Sequence, residues 1–179
     1  MHTVKRIPSK ELITDKTECT FFSGTEWFRL RSCGILVHQG RVLMARNEKD
    51  PYYYSIGGCV HHGESLEAAA IREVKEETGW AFLLERLVFV HENFFRGKSG
   101  TIDGLRCHEI AFYFLMKWDP DTVLTNKSST MGGVPERVEW LDIAELDRLE
   151  LPVYPTFFAR ELFNLPKQVK HIVTFEQGF

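Results

Sequence analysis

The chain has 179 residues, 44% of them apolar and 26% charged, with a formal net charge of −3. These are globular proportions that exclude collagen-like and disordered classes, and the length suits one domain with a core that needs no staples. The acidic balance argues against a protein that grips nucleic acid through a basic face, yet it leaves room for a small anionic substrate, because local fields outweigh net charge there.

Residues 1–26 are mixed and polar and read as an N-terminal extension, with a short extended piece around Cys19–Phe22. Residues 27–38 (WFRLRSCGILVH) end in an apolar run expected to be a strand. Gln39-Gly40 is a turn signal, and RVLMAR (41–46) is its return strand. NEKDP (47–51) is a loop by composition, and YYYSI (52–56) is aromatic and β-prone. Gly57-Gly58 is expected to open a loop. Residues 65–78 (SLEAAAIREVKEET) are good helix formers, with Leu66, Ala70 and Val74 forming an apolar stripe. Ser65 suits its N-cap and Gly79 its stop. Strands are expected at 84–95 and 108–118, separated by a Gly/Ser loop at 97–104, and residues 119–135 are turn-rich. VEWL (138–141) reads as a short strand, and 142–149 and 156–163 as helices set apart by Pro152 and Pro155. The domain is thus expected over 27–166, with 167–179 as a C-terminal tail that adds a strand or docks loosely. Mixed strands around one strong helix make an α/β arrangement, not a regular βαβ repeat.

Cys19, Cys33, Cys59 and Cys107 include no CxxC pair, so a structural zinc site has no support and a reducing compartment fits. The opening MHTVKRIPSK has no apolar h-region, and no run approaches the ~18 apolar residues of a membrane span. A cytoplasmic protein without a membrane partner is the expectation.

Glu73, Glu76 and Glu77 stand at i, i+3 and i+4 of the helix and share one side. Such crowding opposes the helix by about 0.2–0.5 kcal/mol per pair unless a cation intervenes. Hard cations such as Mg²⁺ take oxygen ligands. A bare ExxEE is more often a solvated acidic face. Its surroundings change that reading. Gly58, Glu64, Arg72, Glu73, Val74, Glu76, Glu77, Gly79 and Trp80 fit G-x5-E-x7-R-E-U-x-E-E-x-G-U, with U a bulky apolar residue. Seven fixed identities arise by chance in such a chain with odds on the order of one in a million.

On these 23 residues, 58–80, the chain resembles the Nudix hydrolases. Trp80 stands where an aliphatic residue is usual, and Ile56 where many relatives carry proline before the double glycine. The element order across about Trp27 to Phe163 agrees. The resemblance implies an α/β/α sandwich around a mixed sheet. It also implies hydrolysis of a nucleoside diphosphate linked to another moiety, with Mg²⁺ or Mn²⁺ as cofactor. It assigns Glu73, Glu76, Glu77 and the Gly57 carbonyl as metal ligands, Arg72 as the holder of a box carboxylate, and Glu64 as support through water or a second metal. Such metals neutralise diphosphate oxygens and activate water.

The general base is either a box glutamate, Glu73 among them, or one outside the box. Glu109 is the outside candidate, a carboxylate within the apolar run HEIAFYF; alternation pointing it at solvent beside Ala111 and Tyr113 is the plain alternative. Glu92 and Glu136 rank below it. Arg29, Arg31 and Arg46 are candidate phosphate contacts, each equally read as an ordinary surface arginine; Tyr54, with Tyr52 and Tyr53, is a candidate to stack a base, although consecutive aromatics in a strand are more often split between core and surface. His61 and His62 show no metal spacing, and nothing marks Cys59 as an activated thiol. The competing reading is a nucleotide-binding regulator, which the intact box disfavours. An isopentenyl diphosphate isomerase lacks its cysteine and glutamate contexts here, and an RNA-cap hydrolase lacks a basic surface. The expected partner is a small nucleotide, nucleic acid is not expected, and a homodimer is left open.

Overall fold

A computed structural model describes residues 17–98, 100–124, 133–176 and Phe179. Most of the expected N-terminal extension, and residues 125–132 of the turn-rich stretch, lie outside these. Strands are β1 Thr20–Ser23, β2 Glu26–His38, β3 Arg41–Asn47, β4 Tyr53–Ser55, β5 Gly57–Cys59, β6 Leu83–Arg96, β7 Arg106–Lys117, β8 Glu136–Asp142, β9 Val153–Tyr154 and β10 Lys170–Phe175. They form one mixed, curled sheet in the order β10-β6-β7-β2-β3-β4-β9, with β1 and β5 on β2 and β8 on β3. The long β2 organises it. Parallel pairing with β7 runs from Glu26–Arg106 to Leu36–Met116.

Helix α1 spans Leu66–Thr78, as its caps dictate: Ser65 Oγ accepts from the Ala68 N–H at 3.2 Å, and Gly79 takes φ 77°. Its stripe lies on the sheet, with Ala70 and Val74 buried against Leu36, Phe114 and Met116. Gly34 of β2 makes that approach close. A Cβ there would overlap Val74 and lie 3.0 Å from Met116 Sδ. Burial of a valine such as Val74 stabilises by about 1.5–3 kcal/mol. Trp80 does not pack behind the helix; it is 38% exposed, and Phe82 fills that place instead.

The other sheet face carries a second core of Cys33, Ile35, Val42, Met44, Val88, Phe89, Ala111 and Tyr113, covered by Phe157, Phe158 and Leu162. The helices expected there are shorter than their apolar pattern suggests. Residues 142–149 form only a 3₁₀ turn, Ile143–Glu145, capped by Asp142, and 156–163 hold the four-residue α2, Phe158–Glu161, followed by a second 3₁₀ turn. Pro152 and Pro155 bound the available run, and Val153–Tyr154 between them pairs with β4 as a strand. Helices on both faces of a mixed sheet make the α/β/α layering. The tail supplies β10, parallel to β6 from Lys170–Phe89 to Phe175–Phe94.

Gly57 and Gly58, expected to open a loop, belong to β5, whose Gly57 faces Cys33 of β2. Gly57 has φ 140°, and a Cβ on it would come 2.5 Å from the Cys33 Cα. Only glycine lets the two strands close here, which brings β5 against the foot of α1.

Candidate active site

Arg72, on the outer side of α1, gathers the acidic residues before and within the helix. Its Nε and Nη2 donate to the two Glu64 oxygens, both at 2.8 Å, as a bidentate fork. Nη1 donates to Glu73 at 2.5 Å and lies 3.4 Å from Glu76, and Nη2 also reaches the Cys59 carbonyl at 3.0 Å. Burial pushes the Glu64 carboxyl up, but the Arg72 fork and the His61 N–H outweigh it and hold it below the ordinary carboxylate range. For Glu73 burial wins over Arg72, and its pKa is raised. Gly58 matters for the same carboxylate, since a Cβ there would lie 2.5 Å from Glu73 Cδ.

Glu77 is buried at the foot of the helix. Its Oε1 accepts the Gly57 N–H at 2.7 Å, while Oε2 has no partner among the described residues. Burial raises its pKa well above normal against the pull of that N–H and of Arg31. Glu76 points outward and is 59% exposed. Among the described residues no three acidic, histidine or cysteine side chains converge as a ready metal cage. The Gly57 carbonyl instead accepts from Arg31 Nη2 at 2.7 Å, which also holds the Ser55 carbonyl at 2.7 Å.

Arg31 links the box to Glu109. Alternation along β2 and β7 turns Arg29, Arg31 and Glu109 to the face of the second core. That face is covered, so Glu109 is 5% exposed rather than directed to solvent. It is paired in register with Arg29, whose Nε donates to Oε2 at 2.8 Å. Burial would raise its pKa, but Arg29 and Arg31 bring it below the ordinary value. Burial opposes the Arg31 charge, but the ionisable groups around it, Glu109 among them, outweigh that and raise its pKa, so the guanidinium stays charged. The Arg29–Glu109 pair was not legible in the chain, since 80 residues separate the partners.

The remaining candidates are distributed. Tyr54 donates to Glu136 at 2.5 Å and accepts from Asn47 at 3.2 Å. Glu136 lies close enough to Glu77 for its charge to be felt there, and the Glu77 charge is felt in turn at Tyr54. Arg46 lies over the Tyr53 ring and donates to its hydroxyl at 3.2 Å, with Glu139 alongside. Glu92 turns to the sheet face opposite Glu109, where it meets His171 at 2.7 Å and His108 at 3.6 Å. His62 is exposed, whereas His61 is half-buried and stands 3.9 Å from Glu64. Burial pushes the Cys59 thiol up to about 12, which keeps it protonated and inert.

A mixed sheet, an acidic helix seated on a double glycine and an arginine fork across its carboxylates together define a Nudix-type domain. The NUDIX domain family model matches residues 28–160, and the chain belongs to the Nudix hydrolase family. An ADP-ribose pyrophosphatase of Methanocaldococcus jannaschii is 25% identical over 119 residues, covering 65% of this chain and 63% of that protein. The chain therefore spans somewhat under two thirds of that relative's length. In fold the chain is similar to a mutator MutT protein from Bacillus halodurans, with TM-score 0.59, 16% identity and coverage of 84% of this chain and 91% of that one. It is also similar to an ADP-ribose pyrophosphatase from Streptococcus suis, with TM-score 0.53, 14% identity and coverage of 82% and 98%.

Proposed function

We propose that the chain is a metal-dependent hydrolase that cleaves a diphosphate bond in a nucleoside diphosphate linked to another moiety, by attack of water on phosphorus. The observation that carries this reading is the buried Glu77 Oε2, an acceptor without a partner among the described residues and close enough to Glu73 to feel its charge. A buried carboxylate oxygen is costly to leave unmet, and it calls for something positive. The donors are hard oxygens, which fit Mg²⁺ or Mn²⁺. Glu73, Glu76 and Glu77 would hold such an ion, which when bound neutralises phosphate charge and acidifies water.

The chain's own residues supply the rest. Arg72 keeps Glu64 and Glu73 in fixed geometry, so that little reorganises during reaction. A box glutamate accepts the proton of the attacking water. Arg31, charged and fixed on two carbonyls, adds positive potential where the substrate's diphosphate arrives. Glu109 and Arg29 hold one another beside it. The name of the M. jannaschii relative makes ADP-ribose the first substrate to try, and a cytoplasmic setting suits it.

The experiment is hydrolysis by the purified chain of ADP-ribose, nucleotide sugars, dinucleoside polyphosphates and oxidised nucleoside triphosphates, with Mg²⁺ or Mn²⁺ and both products identified. One substrate split at its anhydride is the expected result. Tight nucleotide binding with no turnover on any of them would make the chain a binding module instead.

A further inference from the structure

One polar row crosses four neighbouring strands on the face of the second core. Arg29 of β2 pairs with Glu109 of β7, Glu109 with Asn93 of β6, and Asn93 with Thr174 of β10. The row on one side holds Trp27, Cys107 and Phe95. The row on the other runs from Arg31 through Ala111 and His91 to Ile172, with the Phe157 ring on His91. Polar side chains on such a face need partners. Thr174 has two. Its hydroxyl donates to Asn93 Oδ1 at 2.7 Å, so its 2.7 Å contact with His91 is a bond that Nε2–H donates. The NH2 group of Asn93, on a half-buried side chain, donates to nothing among the described residues. Thr174 also lines a cleft of about 730 Å³, with Thr156, Phe157, Arg160, Phe163 and Ile172 among its walls. That is room for a small-molecule group. β10 lies beyond residues 28–160 of the family domain, so this end of the row is not part of the matched pattern.

We propose that Asn93 and Thr174 form a subsite for a hydroxyl-bearing group, the moiety beyond the substrate's diphosphate, and that they set which such moiety the enzyme accepts; this rests on the hydrolase reading. Position comes first. Arg31 and Arg29 stand at the β2 end, where the diphosphate arrives, and β10 lies three strand spacings away, about 14 Å. A group attached to the diphosphate and laid along the row therefore meets Asn93 and then Thr174. Chemistry selects the class. A further phosphate is disfavoured, because the buried carboxylate of Glu109 stands next to Asn93 in the row. A nucleobase wants an open aromatic face, and the Trp27 ring already carries the Arg29 guanidinium at 4.9 Å. A hydroxyl both donates and accepts. It accepts from the Asn93 NH2 and donates to the second lone pair of the Thr174 oxygen. His91 is a positioning residue here: its bond fixes the Thr174 hydroxyl, which in turn holds the Asn93 amide with its NH2 turned away from Thr174.

Two measurements on the whole chain test this. The side-chain amide of Asn93, followed by NMR, reads binding without turnover: ribose 5-phosphate should shift it to saturation, and inorganic phosphate should leave it in place. Kinetics then compare the sugar-bearing diphosphate that the enzyme splits best with the matching nucleoside diphosphate butyl ester, which has the same anhydride and no far hydroxyl. Asn93→Asp keeps the acceptor for Thr174 and removes the NH2 donor, and its added charge acts on both substrates alike. Thr174→Val removes the hydroxyl and Thr174→Ser returns it. The ratio of kcat/KM, sugar over ester, should fall about tenfold in Asn93→Asp and in Thr174→Val, chiefly through KM, and recover in Thr174→Ser. Thermal melts of each variant report its fold. An Asn93 amide that shifts with ribose 5-phosphate, in a chain that hydrolyses nothing, would sink the hydrolase reading and leave the subsite standing. An amide that ignores ribose 5-phosphate overturns the subsite, as does a ratio unchanged in both Asn93→Asp and Thr174→Val, or hydrolysis of nucleoside triphosphates alone; each of these leaves the hydrolase reading intact.

Discussion

Gly58 has no side chain where Glu73 has its carboxylate: a Cβ on Gly58 would lie 2.5 Å from Glu73 Cδ. The double glycine is therefore the seat of the acidic residues, and the spacing from Gly58 to Glu73 measures one object.

Gly58→Ala tests that seat. The clash is with the far end of a flexible side chain, so the helix should survive and stability should change by less than about 1 kcal/mol. The carboxylate must move by a few tenths of an ångström or more. Turnover should fall about a hundredfold, the scale of loss for a misplaced catalytic group. Wild-type turnover in a folded Gly58→Ala protein would remove Gly58 from the site.

Metal removal is the second test. Hydrolysis should stop with a chelator and return with Mg²⁺ or Mn²⁺, and either ion should raise the melting temperature, because it binds only the folded arrangement of Glu73, Glu76 and Glu77. Glu77→Gln keeps an oxygen for the Gly57 N–H but removes the charge. It should lose the metal-dependent rise in Tm and about a hundredfold or more in turnover. Equal metal-induced stabilisation of wild type and Glu77→Gln would show that the ion sits elsewhere.

The parts of this molecule that were legible in the sequence are the ones set by near neighbours. Ser65, Gly79 and the stripe of Leu66, Ala70 and Val74 lie within one helix, and the box is a pattern of fixed spacing. The α/β class followed from the order of such elements. What depends on register did not show. Arg29 and Glu109 meet only because β2 and β7 run parallel in that alignment, and nothing local encodes a partner 80 residues away. The late helices were overestimated for a related reason. Phe157, Phe158 and Leu162 have the apolar content of a helix, but Pro152 and Pro155 and the pull of Val153–Tyr154 into the sheet leave room for one turn. Parity offers one usable signal in hindsight: Glu109 shares it with Cys107, Ala111 and Tyr113, all of them buried.

His91 sets a pH dependence. It is 3% exposed, with its Nε2 on Thr174 at 2.7 Å and its Nδ1 without a partner among the described residues. Burial lowers its pKa from 6.5 to about 4, against the pull of Glu109. The unfolded chain therefore takes up a proton first as pH falls. The group's contribution is fully present above pH 6.5 and is lost as pH drops towards 4, by about 3 kcal/mol in all. Urea unfolding at pH steps from about 7.5 to 4.5 should show stability declining with acid over that window. His91→Gln keeps a partner for Thr174 but does not titrate, and its curve should be flatter between pH 6.5 and 5. Parallel curves for the two proteins would mean that other groups carry the decline.

Glu109 is the last test, and it separates three roles. The carboxylate is buried, charged and already engaged by Arg29, and its lowered pKa makes it a weak proton acceptor. Glu109→Gln is therefore expected to reduce turnover by less than about tenfold and to destabilise the protein. Arg29 is 30% exposed and can turn to water, so that loss should be about 1–2 kcal/mol, not the full penalty of an orphaned buried charge. Arg29→Lys, which keeps the charge but not the fork, should recover less than a true substitute because the planar geometry is lost. If Glu109 is instead the general base, turnover of Glu109→Gln falls by about 10²–10⁴-fold at every metal concentration, while a non-hydrolysable analogue binds almost as before. If it is a metal ligand, the loss is partly recovered at high Mg²⁺. A metal titration of turnover, run beside thermal melts of the same variants, distinguishes these outcomes. Glu92→Gln, on the opposite face between His108 and His171, is the control that should leave turnover unchanged.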